Sequence, residues 1–192
     1  MKKLCMIGAA ALFAMAPAAF AGMPIAQVTG YLTSEKLDLG NFDDSATGFG
    51  VRGWGSVNGP WFVHGEYQVV SFDNFDIDQL RLGGGFAGDM GGGTMWLVKG
   101  EYITMGSDTD QSGFGVHGGI MMNASPQFGF YGTLGYITTD DTDGLEFDLG
   151  GKLSFTKELS GVLDYRDYLG SVDPSGDFKL SDLRIGLSYS FY

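Results

Sequence analysis

"LEFDLGGKLSF", residues 145–155, places Leu145, Phe147, Leu149, Leu153 and Phe155 on one parity and Glu146, Asp148 and Lys152 on the other. A repeat of two belongs to an extended strand with one apolar and one polar face, because successive side chains of a strand point opposite ways. A helix would repeat every three to four residues, and that spacing cannot produce this segment.

The same rhythm runs in both directions from there. Phe49, Val51 and Val57 stand against Arg52, and Trp61, Val63, Tyr67 and Val69 against His64, Glu66 and Gln68. Leu80, Leu82 and Phe86 are set against Asp78 and Arg81, and Trp96, Val98 and Tyr102 against Lys99 and Glu101. Phe114, Val116 and Ile120 oppose His117; Phe128, Phe130, Leu134 and Tyr136 oppose Tyr131 and Thr133. Leu159, Leu163 and Tyr165 oppose Asp164 and Arg166. The last segment sets Leu183, Ile185, Leu187, Tyr189 and Phe191 against Asp182, Arg184 and Ser188. With 25–32 as a first strand of ambiguous facing, the count is ten, eight being the alternative. Each segment is roughly 10 residues long, the length of a strand that crosses a bilayer at a tilt.

The connections alternate. Tight ones fall at 58–60, 87–93, 123–127 and 156–158, and an Asp-rich set at 33–46, 71–76, 106–111, 139–144 and 170–179. In an up-and-down sheet alternate turns share an end, so the Asp-bearing connections gather at one rim, the outer one if the N-terminus is periplasmic. An internal repeat marks the outward-going strands: "WFVHGEY" at 61–67 returns as "WLVKGEY" at 96–102, with echoes in "FYGTLGY" at 130–136 and "LSGVLDY" at 159–165. Tyr31 fits the same beat. The result is two rows of amphipathic rings about 15 Å apart along the barrel, closer than the ~25 Å apolar band they would flank. The girdle residues expected are Trp61, Tyr67, Trp96, Tyr102, Phe128, Tyr136, Phe155, Tyr165, Tyr189 and Phe191.

The first residues, "MKKLCMIGAAALFAMAPAAFAG", have the parts of a secretion signal: Lys2 and Lys3, an apolar run from Leu4 to Met15, and Ala19-Phe20-Ala21 as the cleavage site. Cleavage after Ala21 makes 1–21 the signal peptide and 22–192 a single barrel domain, without the lone Cys5. Removing Lys2 and Lys3 from 11 basic residues leaves nine against 23 acidic ones, a net charge of −14. Such a chain has no basic stripe for nucleic acid. The 33 glycines are scattered through the alternating segments rather than collected in linkers, as suits strands that twist and pack closely.

Alternation alone would also suit a soluble barrel with its apolar face inward. The charges decide. Arg52, Glu66, Asp78, Arg81, Lys99, Glu101, Glu146, Asp148, Lys152, Asp164, Arg166, Asp182 and Arg184 lie within strands, six positive and seven negative, so they could pair inside a narrow lumen. Trp and Tyr at the strand ends of the opposite face suit headgroup level. The fold expected is therefore all-β: a transmembrane up-and-down antiparallel β-barrel.

Over residues 24–192 the chain resembles the small outer-membrane β-barrels of the OmpA/OmpX type, a porin-like group. Around "FDIDQLRLGGGF" (75–86) it is similar to a family of short outer-membrane barrels once named for triggering host immunity. The resemblance implies a C-terminal strand read by the barrel-insertion machinery, with Leu183, Ile185, Leu187, Tyr189 and Phe191 in the alternating positions; Tyr192, one residue beyond the in-phase aromatic, departs from the pattern. It also implies residence in the outer membrane of a Gram-negative-type bacterium, as a monomer in contact with outer-membrane lipid and lipopolysaccharide.

Three constellations are candidates for chemistry. His64 and His117, with Glu66 or Glu101, could form a metal or acid–base site, but they lack a third ligand at a helpful spacing and read more simply as polar lumen residues. Barrels of this kind that act as enzymes place histidines at the outer rim or beside a lipid-facing Ser; here both have inward parity, so no enzyme and no cofactor are expected. Asp108, Asp110, Asp140, Asp141 and Asp143 offer hard oxygens to a divalent cation, although Asp in such loops ordinarily serves turns. The lumen is the third. Gly83, Gly115, Gly119, Gly150 and Gly186 on the inward face would leave gaps in the ion-pair plug, which keeps a narrow channel for ions or small solutes as an alternative to a structural, surface-interacting barrel with acidic loops.

Overall fold

The computed structural model describes residues 25–40, 43–73, 75–106, 110–172 and 176–192; the expected signal peptide lies outside them. Ten strands follow in chain order: β1 (Ala26–Asp38), β2 (Asp43–Asn58), β3 (Trp61–Ser71), β4 (Asp76–Gly91), β5 (Thr94–Gly106), β6 (Asp110–Asn123), β7 (Phe128–Thr139), β8 (Asp143–Ser154), β9 (Leu159–Val172) and β10 (Gly176–Phe191). Each pairs antiparallel with its sequence neighbours, and β10 pairs with β1 from Ala26↔Phe191 to Asp38↔Lys179, closing the sheet. Closure removes both edges and satisfies every strand in the ladder, the condition for backbone in hydrocarbon. The strand count is ten, and eight is excluded.

Two of the four tight connections are built on glycine. Gly92 and Gly93 link β4 to β5 with φ of 63° and 78°, the positive pair that a two-residue hairpin turn requires. Register shifts at Ser56/Asn58 and Asp89/Gly91 sit beside these turns. At the other end the expected loops shrink. The segment 33–46 is mostly strand, because β1 continues to Asp38 and β2 starts at Asp43. Paired backbone there outcompetes the turn propensity of Asp and Ser. β2, β4 and β10 reach 16 residues, more than the ~9–11 that span a bilayer, so the barrel stands out of the apolar band.

The exterior carries the apolar parity. Leu32, Phe49, Phe114, Val116, Leu134, Leu149, Leu163 and Ile185 are all exposed, as are Trp61, Tyr67, Trp96, Tyr102, Phe128, Tyr136, Phe155, Tyr189 and Phe191. Trp61, Phe86 and Trp96 form one aromatic cluster at the turn end, with ring centroids 5.2 and 5.4 Å apart. Tyr165 is half-buried, its hydroxyl donating to Asp167 at 2.8 Å. Tyr31 departs from the rhythm. It faces the lumen, 4% exposed, because Thr29, Thr33 and Glu35 share its parity and β1 turns that face inward.

Candidate functional site

The barrel encloses a lumen, and among the described residues its side chains form three tiers. At the loop end, inward residues close to the strand tips are apolar: Ala46, Val70 and Phe72 pack with Leu37, Phe75 and Ile77, and beside them Ile103, Ile137 and Tyr168 pack with Phe178 and Leu180. Val70 and Ile103 are each 1% exposed. Apolar side chains packed across a lumen disfavour the passage of ions.

Below it lies a network of charges. Arg81 on β4 holds Glu146 on β8 with two 2.7 Å bonds and Glu101 on β5 at 3.0 Å, while its Nε donates to Gln79 at 2.9 Å. Arg166 donates to Asp182 at 2.6 and 2.9 Å and to Glu66 at 2.9 Å. Arg184, fully buried, reaches Asp148 at 2.8 Å and Glu66 at 3.4 Å. Arg52 pairs with Asp164, which also accepts from Tyr131. Such forked, charge-assisted bonds satisfy groups that would be costly alone.

The inward glycines do not leave gaps. A side chain on Gly150 would strike the Tyr131 ring, and one on Gly135 the His117 imidazole. Gly83 and Gly186 likewise abut His64 and Tyr31, and Gly119 the backbone of Gly132 and Thr133. At these positions the missing side chain makes room for neighbouring atoms rather than for open space.

Two members of the expected network behave otherwise. Asp78 is exposed on the outer face near the loop end: it lies two residues from Leu80, and period two puts both on one side. Lys152 does face the lumen but has no hydrogen-bond or ion-pair partner among the described residues, whereas Lys99 reaches Glu101 at 2.8 Å. Lys152 sits a tier below the acids, towards the turns. Residues the sequence did not single out complete the network. Glu35 accepts from Gln68 at 2.9 Å, and Tyr31 donates to Glu66 and Gln68 at 3.0 and 3.1 Å. Their signal was the polar parity of β1, hidden by its ambiguous first residues.

His117 Nε2 lies 3.0 Å from Glu101 Oε1, and His64 Nε2 3.4 Å from Glu101 Oε2. Glu101, His117 and Glu146 form the one trio among the described residues near enough to share a metal ion. Arg81 already binds both carboxylates, and its guanidinium would repel a cation placed there. The two carboxylates of the trio are counter-ions of Arg81.

At the rim, Asp108 lies outside the described residues and Asp110 begins β6. Asp140 accepts from the amide and hydroxyl of Ser112 at 3.0 and 3.1 Å, Asp141 is exposed, and Asp143 accepts from the Tyr136 hydroxyl. Among the described residues these carboxylates do not converge as metal ligands must.

The third tier is open. Trp54, Phe62, Met95, Leu97, Met121 and Val162, with Lys99 and Lys152, line a cavity of about 290 Å³. Gly59, Pro60, Gly93 and Asn123, from the tight turns, form its mouth.

Known structures share this architecture. Neisserial surface protein A is 11% identical with a TM-score of 0.50, covering 86% of this chain and 97% of its own. An outer membrane channel from Pseudomonas putida F1 is 9% identical with a TM-score of 0.54, covering 92% of this chain and all (100%) of its own. The fold is that of the outer-membrane β-barrels. At these identities the likeness is one of fold; no protein-family model and no curated relative matches the sequence.

Proposed function

We propose that the protein is a non-conducting outer-membrane barrel with a structural and surface-interacting role, set in a Gram-negative-type envelope and exposing a short rim outside. The observation that carries this reading is the pair of stacked closures: a packed apolar tier at the loop end, and beneath it a network in which Arg52, Arg81, Arg166 and Arg184 are each tied to acids. An ion would have to cross both. The exposed Leu, Val and Phe belt supports contact with lipid, and the outward Lys36 and Lys179 at the loop end, each beside an Asp, support contact with lipopolysaccharide phosphates. The alternating apolar positions of β10 support recognition by the insertion machinery, and complete closure within one chain supports a monomer. An enzymatic role has little to stand on: His64 and His117 are turned to Glu101 in the interior, away from lipid and rim.

The narrow-channel reading is carried only by the open third tier. Planar-bilayer recording of the refolded protein separates the two. Silent bilayers are expected; reproducible unitary steps that change with Arg81→Gln would establish the channel.

A further inference from the structure

Among the described residues, Lys152 is a lumen cation without an ion-pair partner. It is half-buried on β8, four residues from Asp148 along the inward face, and the nearby acids are ion-paired with other cations. Asp148 is taken by Arg184, Glu66 by Arg166 and Arg184, and Glu101 by Arg81 and Lys99. A lysine removed from bulk water without a counter-ion loses solvation and gains nothing in return. It borders a space whose remaining walls are largely apolar, with Trp54, Phe62, Met95, Leu97 and Met121 around it and the turns at its mouth.

We propose that this turn-end cavity binds a small amphipathic monocarboxylate, its carboxylate on Lys152 and its apolar body among Phe62, Leu97 and Met121. Size, sign and lining converge on that class. A cavity of about 290 Å³ has the scale of a small-molecule site. Binding sites of this kind are apolar concavities with a few polar groups that fix orientation. Among the described residues lining it, the cation without an ion-pair partner is Lys152, and a free positive charge disfavours amines. A single free lysine suits one negative charge better than a polyanion. Methionines at 95 and 121 adapt to an irregular chain or ring. The mouth lies among the tight turns, so the ligand enters from the side opposite the acidic rim. Nothing in this site requires conduction: the ion network forms its floor.

The test uses the full barrel in phosphatidylcholine nanodiscs, with octanoate carrying a ¹³C label at the carboxyl carbon, and follows the carboxyl resonance during titration. Empty nanodiscs report plain partition into lipid. The wild-type barrel is expected to give a saturable shift beyond partition. Lys152→Gln is expected to weaken it at least about tenfold, the scale of one charge-assisted bond. Met121→Trp, which fills the cavity and keeps the lysine, is expected to abolish it. Folding of each variant is checked by heat-modifiable migration, and either folded variant alone is sufficient for the test. A wild-type signal equal to that of empty nanodiscs, folded variants that bind like wild type, or octylammonium binding as well as octanoate would each overturn the proposal.

Discussion

At the loop end of the lumen Val70, Ile103 and Ile137 are packed to 1–3% exposure, whereas at the turn end Trp54, Phe62, Met95, Leu97 and Met121 surround a cavity. Both walls are apolar and both lie on the inward parity of the same sheet. They differ in what stands opposite. β-branched and aromatic side chains from facing strands meet across the loop end, as in Ile103 with Ile137 and Tyr168. At the turn end the inward positions between the large residues are small: Ser56, Ser160, Ser188 and Gly129. An apolar wall is thus a core only where its partner is large enough to touch it, and otherwise it is a surface waiting for an occupant. The charged tier between the two fixes which half is floor and which is lid.

The sharpest break in that arrangement is Arg81→Ala. It leaves Glu101 and Glu146 buried with their main counter-charge gone, at a cost of ~3–5 kcal/mol when one member of a buried pair is removed. Urea unfolding of the folded barrel, followed by tryptophan fluorescence, should show the midpoint fall by more than for any other variant considered below. A shift within error would mean the network is solvated and the floor is not a floor.

The strands, their number and the side facing lipid were legible because period two is a local property: "LEFDLGGKLSF" needs no partner to be read. Pairing was not legible. Whether Lys152 meets an acid depends on the stagger of β8 against β9, where Asp148 lies beside Arg166 while Lys152 lies beside Val162. That offset is set by the tilt of the whole barrel. Glu35 was missed for a related reason: it falls in a stretch rich in Ser, Lys and Asp that looks like a loop until β2 and β10 pair with it. The masking of glycine gaps was hidden too, since the ring that fills Gly150 comes from β7.

Paired truncations sharpen the contrast between the two apolar walls. Ile103→Ala should cost ~2–4 kcal/mol, the range for a large-to-small change in a tight core. Leu97→Ala should cost less than half of that, because Leu97 already borders empty space and its loss only widens it. The difference between the two unfolding midpoints is the measurement. Equal losses would show that the turn-end tier is as tightly packed as the loop-end one.

A smaller contrast separates the two lumen lysines. Lys99→Met removes a 2.8 Å bond to the buried Glu101 and should destabilise by ~1.5 kcal/mol, the low end for a bond to a charged partner since Lys99 is partly open. Lys152→Met removes no bond and puts an apolar group against an apolar wall, so stability should hold or rise slightly. Should the two fall alike in the same urea titration, Lys152 has a partner after all.

The smallest effect tests which face Asp78 occupies. Were it one of the lumen acids, its neutralisation would resemble that of Asp182, whose carboxylate takes two bonds from Arg166. Its place is different: it registers with Val69 and Gly106 on an exposed outer face close to the loops. Asp78→Asn should therefore change the unfolding midpoint by no more than ~0.5 kcal/mol, as for surface sites without a special contact. Asp182→Asn should cost several times more, because Arg166 then keeps a buried charge with one of its two carboxylate partners neutralised. If the two variants lost stability equally, the register of β4 would have to slip by one residue. That slip would turn Leu80 and Leu82 into the lumen and Arg81 into lipid, reversing the orientation on which both tiers depend.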